Sequence, residues 1–152
     1  MPQRSRLSTT LCGIAGEYFV AAELSRRGYI ASLTLRNTRG IDILVSNADA
    51  TKSVGIQVKT TQSRGKEWVL NQKIEKDVAT NLFFVFVRLN DFDTPEYYVV
   101  RRADVAKFAR EKHERWLNTP GLKGQKHRDS AMRKFADPEN KYRSRWDMLG
   151  LD

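Results

Sequence analysis

Apolar positions along this chain follow two rhythms. From about Ser8 to Arg27, Leu11, Ile14, Ala15, Tyr18, Ala21 and Ala22 recur at helical spacing. Ser8, Thr9 or Thr10 can cap the start, and Gly28 is a natural stop. The rhythm then shortens. Tyr29–Leu35, Ile41–Ser46 and Ser53–Thr61 read as strands, the last two joined by a polar turn over 47–52. Glu67–Leu70 reads as a short strand extending the same sheet, and Lys73–Ala79 as a weaker helical segment. Leu82–Val87 is nearly all apolar, which suits a strand covered on both faces. Tyr97–Val100 reads as a strand, and Ala103–Leu117 as a helix with Val105, Phe108, Ala109 and Trp116 inward. After the break at 118–121, the chain is polar and basic to Asp152, anchored by Phe135, Tyr142, Trp146, Leu149 and Leu151, and is expected to pack as helical and irregular segments. The order predicts an α/β fold with a central mixed sheet flanked by helices. The expected organisation is a single domain over 1–152, with a core at about 8–117 and a basic extension at about 118–152.

The period of two also places chemistry. Side chains two apart on a strand share a face, so Val54, Ile56 and Val58 point one way and Gln57, Lys59 and Thr61 the other. If the hairpin is symmetric about Asp49 and Ala50, both buried runs fall on one side and Asp42 lies opposite Gln57. On the first helix Glu17 falls at the edge of the apolar stripe, beside Ala21 and Leu24. Magnesium takes hard oxygen ligands and keeps several waters. Asp42, the side-chain carbonyl of Gln57, the backbone carbonyl of Val58 and Glu17 can supply such oxygens. Lys59 beside them can hold the attacking water or stabilise charge developing on phosphorus.

Charge sharpens this picture. The net charge is +9 and the pI about 9.9, which favours polyanionic partners through counterion release. Residues 1–101 carry 14 basic and 10 acidic groups and residues 102–152 carry 13 and 8, so the excess is spread along the chain. Arg36, Arg39, Arg64 and Lys66 flank the proposed site in loops, and Thr61 follows Lys59 on its strand; these are candidate nucleic-acid contacts. No apolar run approaches the ~20 residues of a membrane span, and no leader with a cleavage site is legible, so the expected location is cytoplasmic. Cys12 is the single cysteine, which excludes an internal disulfide and a cysteine zinc site; near a helix start its pKa could fall, although plain packing is the simpler reading. His113 and His127 read as surface residues, and the tryptophans as core or interface anchors.

The helix bearing Glu17, then Gly40-Ile41-Asp42, then Gln57-Val58-Lys59 resembles the PD-(D/E)XK, or restriction-endonuclease-like, nuclease superfamily over about residues 8–101. The first helix is similar to that of archaeal Holliday-junction resolvases, and the Gln-x-Lys third motif to the Mrr type of restriction enzyme. The resemblance implies an αβββαβ core, Mg²⁺ or Mn²⁺ as cofactor, and DNA phosphodiester hydrolysis. It implies that Asp42 and Gln57 bind metal, that Lys59 is the catalytic lysine and that Glu17 is the helix acid. A homodimer is a further expectation, because two strands must be cut. Ile41 replaces the proline of the superfamily name, and Gln57 replaces the usual glutamate. The neutral amide removes one negative charge and should weaken cation binding. An attenuated or inactive nuclease-fold module that binds nucleic acid is therefore the alternative, and an assembly protein using the basic C-terminal segment is the third class.

Overall fold

The structure, a computed structural model, describes residues 5–35, 40–76 and 79–152. Helix α1 (Thr9–Arg26) starts where the Ser8 hydroxyl accepts the Leu11 N–H at 3.2 Å. It is followed by β1 (Ile30–Leu33), β2 (Ile43–Ser46) and β3 (Ser53–Thr61). Then come β4 (Glu67–Asn71), a 3₁₀ turn (Gln72–Glu75), β5 (Leu82–Arg88), β6 (Glu96–Arg101) and α2 (Arg102–Asn118). Strand β7 (Met132–Ala136) and a second 3₁₀ turn (Trp146–Leu149) complete the described chain.

Five strands form one mixed sheet in the order β1-β2-β3-β5-β6, with β3 and β5 parallel and the other pairs antiparallel. Its two faces carry separate cores. On one, Cys12, Val20 and Leu24 of α1 pack over Ile43, Val45, Val54, Ile56, Val85 and Val99, and Trp146, Leu149 and Leu151 close the far side. On the other, Phe84, Phe86, Tyr98 and Val100 meet Val105 and Ala109 of α2 and Trp68, Leu70 and Phe135 of β4 and β7. Each fully buried aliphatic or aromatic side chain contributes about 1.5–3 kcal/mol of transfer free energy. β5 is buried on both faces, as its unbroken apolar run requires.

Several elements differ from the sequence expectation. β4 does not extend the main sheet; it pairs antiparallel with β7 in a separate two-stranded sheet, Trp68 opposite Phe135. β7 lies where helical and irregular structure was expected. Its alternation is masked because Arg133 points inward, 7% exposed, with its charge met by Glu75 at 2.6 Å and by the carbonyls of Ser130 and Met132. Among the described residues, the crossover from β3 to β5 uses β4 and one 3₁₀ turn in place of the expected helix; residues 77–78 lie outside them. Trp116 is 41% exposed and stacks on His127 at 4.2 Å, so it is not inward. His113 is more enclosed than a surface histidine, its side chain 10% exposed and bonded to Asp129 at 2.7 Å. No helix among the described residues is long and apolar enough to cross a membrane.

Candidate functional site

The register of β2 and β3 pairs Ile43 with Ile56 and Val45 with Val54, the hairpin symmetry read from the sequence. Asp42 stands one residue before the first of these pairs, beside Gln57. Its N–H donates to the Ile56 carbonyl at 2.8 Å, and its own carbonyl accepts the Thr34 N–H at 2.9 Å. Its carboxylate leaves the strand line: Oδ2 accepts the Val58 N–H at 2.7 Å. The side chain thus takes a donor that the next rung of the β2–β3 ladder would use, and the two strands part here. In a pleated strand the N–H and C=O of one residue face the same edge. The Val58 carbonyl therefore faces the gap occupied by Asp42.

Asp42 is half-buried, and burial pushes its carboxyl above the usual range. The Val58 N–H and the positive charge of Lys59 pull the other way. A partly dehydrated carboxylate with one amide donor and a lysine nearby is poised to take a cation. Gln57 and Lys59, two apart on β3, share a cleft of about 570 Å³ with Gly40 and Ile41 on one side and Asn71, Lys73 and Arg102 on the other. Gly40, at φ +68°, turns the chain into Ile41-Asp42 in a conformation that favours glycine. A Cβ at that position would lie 4.0 Å from Gln57 Oε1, so the backbone runs close to the amide.

Asp42, Gln57 and Lys59 are thus brought together. Glu17 stands on α1, which packs on the face bearing Ile56 and Val58, opposite the face of Gln57 and Lys59. Glu17 is half-buried, one turn after Gly13, and Gly13 lines a groove with Val58, Lys59 and Thr61. α1 approaches β3 closely because Gly16 sits against Thr60, and Cys12 Sγ lies 3.9 Å from the Thr60 carbonyl. Cys12 is buried, and burial pushes its thiol up, not down as a helix start would suggest.

The flanking cations separate into groups. Arg36 and Arg39 lie outside the described residues. Thr61 shares the Gly13 groove, its hydroxyl 2.9 Å from Ser63 Oγ. Arg64 is exposed in the turn after β3, where its carbonyl accepts from Arg88 at 2.7 Å. Lys66 is turned to the C-terminal segment, bonding Asn140 Oδ1 at 2.8 Å, and does not line the cleft. The Gln62 amide is committed to Leu7, whose N–H and carbonyl it bonds at 2.9 and 2.8 Å. Two cations that sequence reasoning missed, Lys73 and Arg102, do line the cleft. They come from the 3₁₀ turn and the start of α2, so their approach to Gln57 depends on contacts distant in sequence. The Arg101-Arg102 pair at a strand-to-helix junction was the one local signal.

A hard divalent cation fits the donors in kind: one carboxylate, one amide carbonyl and one backbone carbonyl are all oxygen. The set is poor in charge. Among the described residues there is no cluster of three or more His, Cys, Asp and Glu that could hold a metal.

No family model matches the chain, and no curated protein matches it. Among solved structures, the chain is similar to a bacterial homing endonuclease, I-Ssp6803I, with a TM-score of 0.55 and 14% identity over 95% of this chain and 94% of that one. At that identity the likeness speaks for the architecture: this is a nuclease-like fold, a five-stranded mixed sheet flanked by helices.

Proposed function

We propose that the protein is a divalent-metal-dependent endonuclease of the PD-(D/E)XK class that hydrolyses DNA phosphodiester bonds. The observation that carries this reading is the Asp42 carboxylate bonded to the Val58 N–H at 2.7 Å, between Gln57 and Lys59 on β3, whose side chains line the adjoining cleft. The nuclease-like fold and the net charge of +9 agree with it.

In this reading Asp42, the Gln57 Oε1 and the Val58 carbonyl would hold Mg²⁺ or Mn²⁺, and Glu17 would be the acid offered from α1. When bound, the cation supplies charge stabilisation at phosphorus and a lowered pKa for a coordinated water. The protein's own residues supply the rest. The Val58 N–H fixes the rotamer of Asp42, so one carboxylate oxygen stays aimed at the gap. Lys59 orients the attacking water and offsets the charge that grows on the phosphoryl oxygens. The basic surface draws the polyanion to the cleft.

Gln57 favours a second reading, a nuclease-fold module that binds nucleic acid without cutting it, because its amide brings no negative charge to the cation. One experiment separates the two. Purified protein is incubated with supercoiled, linear and branched DNA in Mg²⁺ or Mn²⁺, beside Asp42→Asn and Lys59→Ala. Nicking by the wild type that both substitutions abolish supports the endonuclease. Salt-sensitive DNA binding without any cleavage supports the binding module.

A further inference from the structure

Among the described residues, two largely enclosed arginines are answered by carboxylates. Arg88 holds Glu96 at 2.8 Å, and Arg133 holds Glu75 at 2.6 Å. Arg102, the half-buried first residue of α2, has no such ion pair among the described residues. Its Nε is buried and makes no hydrogen bond. Its guanidinium lies over the Phe84 ring, 5.9 Å from the centroid, and burial holds its pKa below the usual range. The cation–π contact offsets only part of the cost of removing a guanidinium donor from water. An unanswered guanidinium beside an open cleft is suited to an anion.

The cleft says which anion. Phe84 pairs with Gln57 in the β3–β5 register, so Arg102 stands one strand over from the candidate site, a lateral step of about 4.8 Å. Lys73 lines the same cleft. A guanidinium presents a planar fork of donors that matches two oxygens of a phosphate, and a nearby ammonium adds charge without demanding geometry.

We propose that Arg102 and Lys73 form a phosphate subsite that grips the nucleic-acid backbone at a phosphodiester neighbouring the one presented to Asp42, Gln57 and Lys59. The subsite rests on the endonuclease reading for its ligand but requires only binding, not hydrolysis. It fixes the register of the strand: the gripped phosphate sets which bond reaches Lys59. Arg102 is thus a positioning residue.

The test measures binding of a fluorescent DNA duplex by anisotropy in EDTA, across a series of KCl concentrations, with cleavage in Mg²⁺ assayed in parallel. One lost phosphate contact lowers the slope of log affinity against log salt by about 0.9. Arg102→Gln and Lys73→Gln should each show that loss, with about tenfold weaker binding for Arg102→Gln at low salt. Arg102→Lys should restore the slope. If Arg102→Gln does not fold, Lys73→Gln and Arg102→Lys carry the comparison. Slopes unchanged in the folded variants overturn the subsite while leaving the nuclease reading intact. A wild type that binds but never cuts, with the slope loss present, overturns hydrolysis and supports the subsite. Absence of binding at low salt overturns both. A melting temperature raised by inorganic phosphate in wild type but not in Arg102→Gln, with DNA binding equal in the two, overturns the assignment in favour of a free phosphate.

Discussion

Gly16 is the position where α1 comes closest to the sheet, and its substitution gives a prediction whose sign can be worked out. In an ordinary helix, Gly→Ala gains about 1 kcal/mol from backbone entropy. Here an added Cβ would overlap Thr60 Oγ1 and stand 2.8 Å from Thr60 Cβ and 3.0 Å from its Cγ2. Rotation of Thr60 about χ1 moves Oγ1 and Cγ2 but leaves Cβ in place, so no rotamer clears the overlap. Helix and strand must separate, and overpacking of that kind costs about 1–3 kcal/mol or more. The overlap outweighs the propensity gain, and we expect a net loss of about 2 kcal/mol. For a chain of this size that is a fall in melting temperature of about 4–8 °C. Gly13, one turn earlier on the same helix, has nothing within 4 Å of its Cβ position. Gly13→Ala should therefore stabilise by about 1 kcal/mol, a rise of about 2–4 °C. Thr60→Ala in the Gly16→Ala background should recover part of the loss. Thermal unfolding followed by circular dichroism measures all four proteins. If Gly16→Ala melts at or above the wild type, the close approach of α1 to β3 is wrong.

Three further outcomes are expected. Asp42→Asn should reduce cleavage by at least ~100-fold yet cost little stability, because the amide oxygen can still accept the Val58 N–H and no charge need be buried; activity and melting temperature measured on one preparation check this. Trp68→Phe removes the 3.0 Å hydrogen bond from Nε1 to the Val87 carbonyl and leaves a gap beside Phe86 and Tyr98, so urea unfolding should show a loss of about 2 kcal/mol. The hydrogen-bonded Arg88 guanidinium, aided by Tyr98, holds the Glu96 carboxyl at about 2, below its ordinary 4.5. Its contribution to stability is present above about pH 4.5 and is lost as pH falls towards 2. Urea midpoints of the wild type should drop between pH 6 and pH 3 more steeply than those of Glu96→Gln.

The alternation of apolar residues made the centre of the fold legible. Strand β3 occupies Ser53–Thr61 as read, and the hairpin register follows from the demand that Ile43, Val45, Val54 and Ile56 be buried together. That register alone places Asp42 beside Gln57. What was hidden is what the chain brings together from afar. β4 shows its own alternation through Trp68 and Leu70, but its partner β7 lies some sixty residues on, and the inward Arg133 breaks the pattern there. Arg102 and Lys73 look like ordinary surface cations until β5 and the start of α2 fold them over the cleft. Glu17 reads correctly as lying at the edge of a stripe, but a helical wheel does not tell which face of the sheet the helix will cover.

The most direct measurement is a crystal soaked in Mn²⁺ and examined by anomalous diffraction. We expect one peak within about 2.0–2.6 Å of an Asp42 carboxylate oxygen, Gln57 Oε1 and the Val58 carbonyl. Anomalous density confined to other sites at saturating Mn²⁺, or none at all, would contradict the proposal that this gap in the sheet is a metal centre.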